Sequence, residues 1–124
     1  MIALTGIDFD LLSRYGGKPV SFGKGDVIFR EGDVADCFYV IRDGTIDITL
    51  GNRVLKPLQR GDIFGEMSLI DGMPRSANAV AQTKATVIPI NEEQFLFLVG
   101  QLPYFALNVM RVLAMRLRDM NRAI

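Results

Sequence analysis

The sequence contains no histidine and a single cysteine, Cys37, in 124 residues. Without an imidazole there is no Ser-His-Asp triad, no His-ligated zinc or iron and no His-ligated haem. One thiol closes no intramolecular disulfide and builds no cysteine cluster around a metal. Net charge is missing too. Fourteen Lys+Arg stand against fourteen Asp+Glu, so no global basic excess exists to hold a nucleic-acid backbone. The apolar run Phe95–Val99 is cut by Gly100 and Gln101, far short of the ~20 residues that span a bilayer. No basic segment precedes Met1-Ile2-Ala3-Leu4, so no secretory leader is expected. The expectation is a cytoplasmic protein that touches neither membrane nor nucleic acid directly.

What is present reads as one folded domain: 49% of residues are hydrophobic and 23% charged, too apolar for disorder. A chain of this length buries roughly two-thirds of its unfolded surface. Residues 1–17 form a helical segment, with Asp8 as cap, Phe9, Leu11 and Leu12 as apolar face and Gly16-Gly17 as stop. From 18 to 91 short runs rich in Val, Ile, Phe and Thr are punctuated by glycines, predicting strands near 18–22, 26–30, 36–42, 44–50, 53–59, 76–82 and 84–90. Ile46, Ile48 and Leu50 alternate onto one face, and Asp43-Gly44 between two such runs signals a hairpin. Gly25-Asp26-Val27-Ile28-Phe29 returns as Gly61-Asp62-Ile63-Phe64, an echo of two related halves. The fold class is mostly β with flanking helices: an antiparallel jelly-roll (double-stranded β-helix) barrel. Cys37, between Asp36 and Phe38-Tyr39-Val40-Ile41, reads as a small buried hydrophobe, with a reactive thiol as the alternative.

Residues 92–124 turn helical. Asn91 caps a helix opening with Glu92-Glu93, Gly100 ends it, and Pro103 opens the next. Met110, Leu113, Leu117, Met120 and Ile124 repeat at 3, 4, 3 and 4, a heptad seam. Pairing with a second copy and packing back on the roll both fit that spacing. Arg111, Arg116, Arg118 and Arg122 make this tail locally basic, a pattern that a solvated helix face also produces.

One stretch, 64–77, stands apart from the strand pattern. Glu66 to Ile70 are helix formers between Gly65 and Asp71-Gly72, so one helical turn is inserted in the barrel. Its free backbone N–H groups favour an anion. Arg75 brings a five-donor fork that matches two oxygens of a phosphate, and Ser76 brings a hydroxyl. Glu66 is an acceptor suited to a sugar hydroxyl. The bland alternative is that Glu66 and Arg75 pair with each other.

Gly65-Glu66-Met67-Ser68-Leu69, then Pro74-Arg75-Ser76-Ala77, resembles the phosphate-binding cassette of cyclic nucleotide-binding domains of the catabolite-activator and gated-channel type. Gly25 to Asp33, Phe38 to Ile41, Gly44 and Gly61 to Glu66 resemble that family's roll, so the likeness covers essentially the whole chain. It implies that Arg75, Ser76, Met67 and Ser68 hold the cyclic phosphate, and that Glu66 and Gly65 hold the ribose. It also implies a C-terminal helix that covers the base. Arg116 falls where related channels bring an arginine over the base. Met120-Asn121 stand where bacterial members carry a Thr-Ser pair that reads adenine, a departure that leaves cyclic AMP and cyclic GMP both open, with cyclic AMP favoured. For Arg116, a base lid and a solvated arginine are equal readings.

The function expected is therefore a non-catalytic sensor domain without cofactor or metal, whose C-terminal helix closes over the ligand and passes the signal to an effector protein or domain. A homodimer through that helix is one form of relay. An enzyme is not expected, because jelly-roll hydrolases use histidine clusters and the carboxylates here are scattered. The alternative is a dimerisation or interaction module of the same fold that binds another anion or none. The family's transcription regulators carry a helix-turn-helix beyond this helix, so direct DNA binding by these residues is not expected.

Overall fold

The computed structural model describes residues 9–122, without the side chains of Lys56 and of residues 120–122. In chain order the elements are α1 (Phe9–Tyr15), β1 (Val20–Phe22), β2 (Val27–Phe29), β3 (Cys37–Asp43), β4 (Ile46–Leu50) and β5 (Arg53–Leu58). They continue with β6 (Ile63–Phe64), α2 (Glu66–Asp71), β7 (Asn78–Ala81), β8 (Ala85–Asn91), α3 (Glu92–Gln101) and α4 (Pro103–Arg122). Two four-stranded antiparallel sheets result, in the orders β1-β8-β3-β6 and β2-β7-β4-β5. This is a roll flattened into two layers. Asp8 and Ile124 lie outside the described residues.

Period-two alternation decides which side chain enters which core. On β3, Ile41 points between the sheets, joining Phe29, Ile46, Leu58, Phe64, Ala79, Ala81 and Val87. Phe38 and Val40 point the other way, and with Ile63, Ile88 and Ile90 they meet Leu12, Leu98, Phe105, Val109 and Val112 of the helices. The first sheet is thus covered on both faces. This accounts for the unbroken apolar run Phe38–Ile41 in an antiparallel strand.

Several expectations need correction. Asp43-Gly44 does not make a hairpin: β3 and β4 belong to different sheets. Gly44 is a corner at φ 87°, packed so closely that a Cβ there would lie 2.3 Å from the Lys84 carbonyl oxygen. The hairpin is instead β4–β5, turning at Gly51-Asn52, with Leu50 opposite Arg53. The two-residue β6 falls in a stretch for which no strand is expected. It pairs with Tyr39 and Val40 of β3, and tertiary burial rather than length defines it. Gly100 does not end α3, which runs one residue further because Leu102 N–H still reaches the Leu98 carbonyl. Asn91 does cap α3, through a capping box with Gln94.

The heptad seam is not what packs α4 on the roll. Phe105, Val109 and Val112 do so, while Met110 and Leu117 are 58% and 60% exposed. Among the described residues only Leu113 serves both stripes. Among the described residues no single helix is long and apolar enough to cross a membrane.

Candidate functional site

A cleft of about 690 Å³ opens beside α2, within the size range of small-molecule sites. Its inner end is polar, with Gly65, Glu66, Ser68 and Arg75, and Met67 and Ser76 line it nearer the surface. Its outer wall is apolar, from Ile48, Leu50, Leu55 and Leu58, with Arg53 on the hairpin, and α4 closes one side with Arg116 and Asp119. The expected cassette residues and Arg116 therefore do converge. The apolar wall was legible only in part, as the face shared by Ile48 and Leu50. Met120 and Asn121, the other base candidates, have side chains outside the described residues.

Local geometry follows from two left-handed glycines. Gly65 (φ 77°) turns the chain out of β6 into α2, and Gly72 (φ 70°) closes α2 by donating its N–H to the Ser68 carbonyl. Gly65 is required twice over: a Cβ there would sit 2.6 Å from the Arg75 guanidinium. Close backbone approach is thus built around the arginine.

Arg75 is 5% exposed. Its Nη1 donates to the Gly65 carbonyl at 2.9 Å and its Nη2 to the Cys37 carbonyl at 2.7 Å. The guanidinium lies 4.2 Å from the centroid of Phe29 and 5.7 Å from that of Tyr39; Tyr39 stacks on Phe64, and Phe29 is tilted against it. No carboxylate pairs with it among the described residues, and its buried Nε–H has no partner. The guanidinium is thus buried among aromatic rings and carbonyl oxygens and, among the described residues, without a carboxylate. Burying it so costs several kcal/mol.

Glu66 does not pair with Arg75. It is 7% exposed and accepts from Arg116 Nη1 at 2.6 Å through Oε1, while Arg116 Nη2 donates to the Ile63 carbonyl. Arg116 is therefore not a solvated arginine, unlike the exposed Arg111 and Arg118 beside it on α4. Nothing in residue spacing signals that α4 is tied to the cassette through this pair. Oε2 of Glu66 makes no hydrogen bond among the described residues. Ser68 is buried at the floor, and Ser76 and Met67 are exposed at the rim. Cys37 is half-buried, and burial pushes its thiol above the ordinary range, which favours the inert over the reactive reading.

The family model described as cyclic nucleotide-binding domain matches residues 19–101. The cyclic AMP receptor protein of Thermus thermophilus is 37% identical over 103 residues, 79% of this chain and 48% of that protein. The solved catabolite activator protein of Thermus thermophilus superposes with a TM-score of 0.82 at 33% identity, over 95% of this chain and 59% of that one. A solved protein of a cyclic-GMP-dependent signalling pathway that regulates bacterial phytopathogenesis also reaches 0.82, at 26% identity over 96% of this chain and 98% of that one. The chain spans about half the length of the curated Thermus relative.

Proposed function

Since the chain belongs to the cyclic nucleotide-binding domain family, we propose that it is a non-catalytic cyclic AMP sensor whose α4 carries the signal to an effector. The observation that carries this reading is Arg75, a buried guanidinium that among the described residues has no carboxylate partner and has an orphaned Nε–H. A cyclic phosphate supplies the missing monoanion, and the fork of donors suits two of its oxygens. Backbone at Gly65, Met67 and Ser68 and the Ser76 hydroxyl complete the shell. Glu66, its Oε1 held by Arg116, offers Oε2 to the ribose 2′-hydroxyl. The apolar wall of Ile48, Leu50 and Leu55 receives a purine, with Arg116 at its edge. Either purine fits such a wall. Cyclic AMP is preferred because the Thermus relative is a cyclic AMP receptor protein, and cyclic GMP is the alternative that the phytopathogenesis protein favours.

The exposed Met110 and Leu117 on α4 support relay through pairing of two copies. A cytoplasmic place suits such a ligand. Calorimetric titration of the chain with cyclic AMP and cyclic GMP side by side tests the reading. Saturable binding of at least one, tighter for cyclic AMP, is expected. Binding of neither would refute it and leave an interaction module of the same fold.

A further inference from the structure

The Gly-Asp echo of the sequence turns out to be one turn built three times. In Gly23–Asp26 the Asp26 carboxylate accepts the Gly23 N–H at 2.7 Å, and Asp26 N–H returns to the Gly23 carbonyl at 3.0 Å. In Gln59–Asp62 the same two bonds measure 2.8 and 2.9 Å. In Arg30–Asp33, which the echo did not include, they measure 2.9 and 3.0 Å. The glycine of each turn has φ between 87° and 89°. The carboxylate closes the loop by accepting the N–H three residues back, and glycine supplies the left-handed residue it needs.

Each turn then grips one distant residue by both its peptide groups. Gly25 N–H donates to Ala81 O, and Ala81 N–H donates to Asp26 O, at 2.7 and 2.9 Å. Gly61 and Asp62 hold Ile41 in the same way, both at 2.9 Å. Gly32 and Asp33 hold Arg75, at 2.8 and 2.9 Å. All three gripped side chains point inward: Ala81 and Ile41 into the core and Arg75, 5% exposed, to the inner end of the cleft. The fold thus uses one clamp to set core positions, and at one of the three the residue is arginine. The clamp itself does not line the cleft.

We propose that the Arg30–Asp33 turn is the positioning clamp of the phosphate-binding arginine, with Asp33 and Gly32 acting through the Arg75 backbone. This rests on the reading that Arg75 takes the cyclic phosphate. Arg75 precedes β7 (Asn78–Ala81) and has no ladder of its own, so its two main-chain bonds go to this turn. Glu31 N–H, donating to the Asn78 side chain at 2.9 Å, moors the turn to β7. Loosening the turn lets the guanidinium drift from Gly65 and Cys37 and from any ligand oxygen.

The sister turn provides a matched control. A Cβ at Gly25 or at Gly32 meets nothing within 4 Å, so alanine at either position brings the same backbone strain and no clash. Asp33→Ala and Gly32→Ala are compared with Asp26→Ala and Gly25→Ala in the full chain. Cyclic AMP affinity is measured by calorimetry, and amide hydrogen exchange is followed at Arg75 and Ala81. The Asp33 and Gly32 variants should speed exchange at Arg75 and weaken binding about fivefold, as the loss of one turn bond implies. The Asp26 and Gly25 variants should speed exchange at Ala81 and leave affinity unchanged. Asp33→Asn keeps the acceptor oxygen and should restore binding. Native affinity in Asp33→Ala, or an equal loss in Asp26→Ala, overturns the proposal. If the unaltered protein binds neither cyclic AMP nor cyclic GMP, the nucleotide reading fails first. Exchange at Arg75 still decides the clamp, an unchanged rate in Asp33→Ala overturning it.

Discussion

Replacing Arg75 by leucine separates a ligand-reserved arginine from a structural one. In the folded chain the substitution removes two charge-assisted hydrogen bonds, to the Gly65 and Cys37 carbonyls, worth about 1.5–3 kcal/mol each. It also removes a ring contact with Phe29 at 4.2 Å, worth about 0.5–2 kcal/mol. Against these losses stands relief of a buried cation with no carboxylate, a penalty of about several kcal/mol. Leucine adds apolar volume beside Phe29 and Tyr39. The terms oppose one another, so net destabilisation should stay within about 2 kcal/mol, a shift of the melting temperature by roughly 8 °C or less. Binding has no such offset. A buried charge that loses its only partner costs about 3–5 kcal/mol, so affinity for cyclic AMP should fall by about two to three and a half orders of magnitude. Scanning calorimetry reads the first quantity and titration calorimetry the second. A chain that melts far below the native protein yet binds within threefold of it would show that Arg75 is a strut. The ligand reading would then be refuted.

Four smaller perturbations probe the rest of the site and the fold. Glu66→Ala should bring the preference for ribose over 2′-deoxyribose, about ten- to 150-fold in the native protein, close to unity; a preserved ratio in competition binding removes the hydroxyl role. Arg116→Ala cuts the tie between α4 and Glu66 and should speed release of a fluorescent cyclic AMP analogue by about tenfold, whereas an unaltered rate detaches α4 from the site. Gly44→Ala places a Cβ 2.3 Å from a backbone oxygen at φ 87° and should cost about 3 kcal/mol or more in a urea titration. Burial raises the Cys37 thiol above its ordinary 9.0. The folded state therefore favours the neutral form, and the stability this gives is intact below 9.0 and lost as pH climbs through the raised value. Alkylation by iodoacetamide at pH 8.5 should accordingly be slower in the native chain than in the unfolded one, and equal rates would contradict the burial.

The cassette was legible because its chemistry is local. Gly65, Glu66, Arg75 and Ser76 lie within a dozen positions, so their meeting in one cleft is readable before any fold is known. Strands with clear alternation, such as Ile46–Leu50, were equally plain. What stayed hidden depends on contacts between distant residues. Asp43-Gly44 carries the chemistry of a tight turn, and only the packing of Gly44 against Lys84 and Ala85 makes it a corner between sheets. Two residues of β6 carry no period; Ile63 and Phe64 become a strand because both faces of that layer are buried. On α4 the heptad at Met110 and Leu117 was visible, but the stripe that packs, Phe105, Val109 and Val112, lies a partial turn away. The Glu66–Arg116 pair joins residues fifty positions apart, beyond the reach of spacing arguments.

On the proposed reading, that pair also sets how a nucleotide in the cleft is felt by α4. Arg116 occupies Oε1 of Glu66 and the Ile63 carbonyl, so it fixes the direction in which Oε2 offers its lone pairs. If Oε2 takes the ribose hydroxyl as proposed, that contact and the seat of α4 on the roll depend on the same carboxylate. The ligand strengthens the α4 contact only to the extent that the oriented carboxylate binds ribose better than a free one would. Linkage would make that relation reciprocal: whatever draws α4 off the roll would weaken the proposed nucleotide binding by the same factor. The tie is one ion pair, with side chains 10% and 20% exposed, and one carbonyl bond. Solvent screening at that exposure is incomplete, which puts the coupling in the usual range of about 1–3 kcal/mol, or five- to 150-fold in affinity. A larger effect would require the apolar stripe of Phe105, Val109 and Val112 to leave its seat as well. That stripe forms one core with Leu98 of α3, so α3 and α4 would then move as a unit.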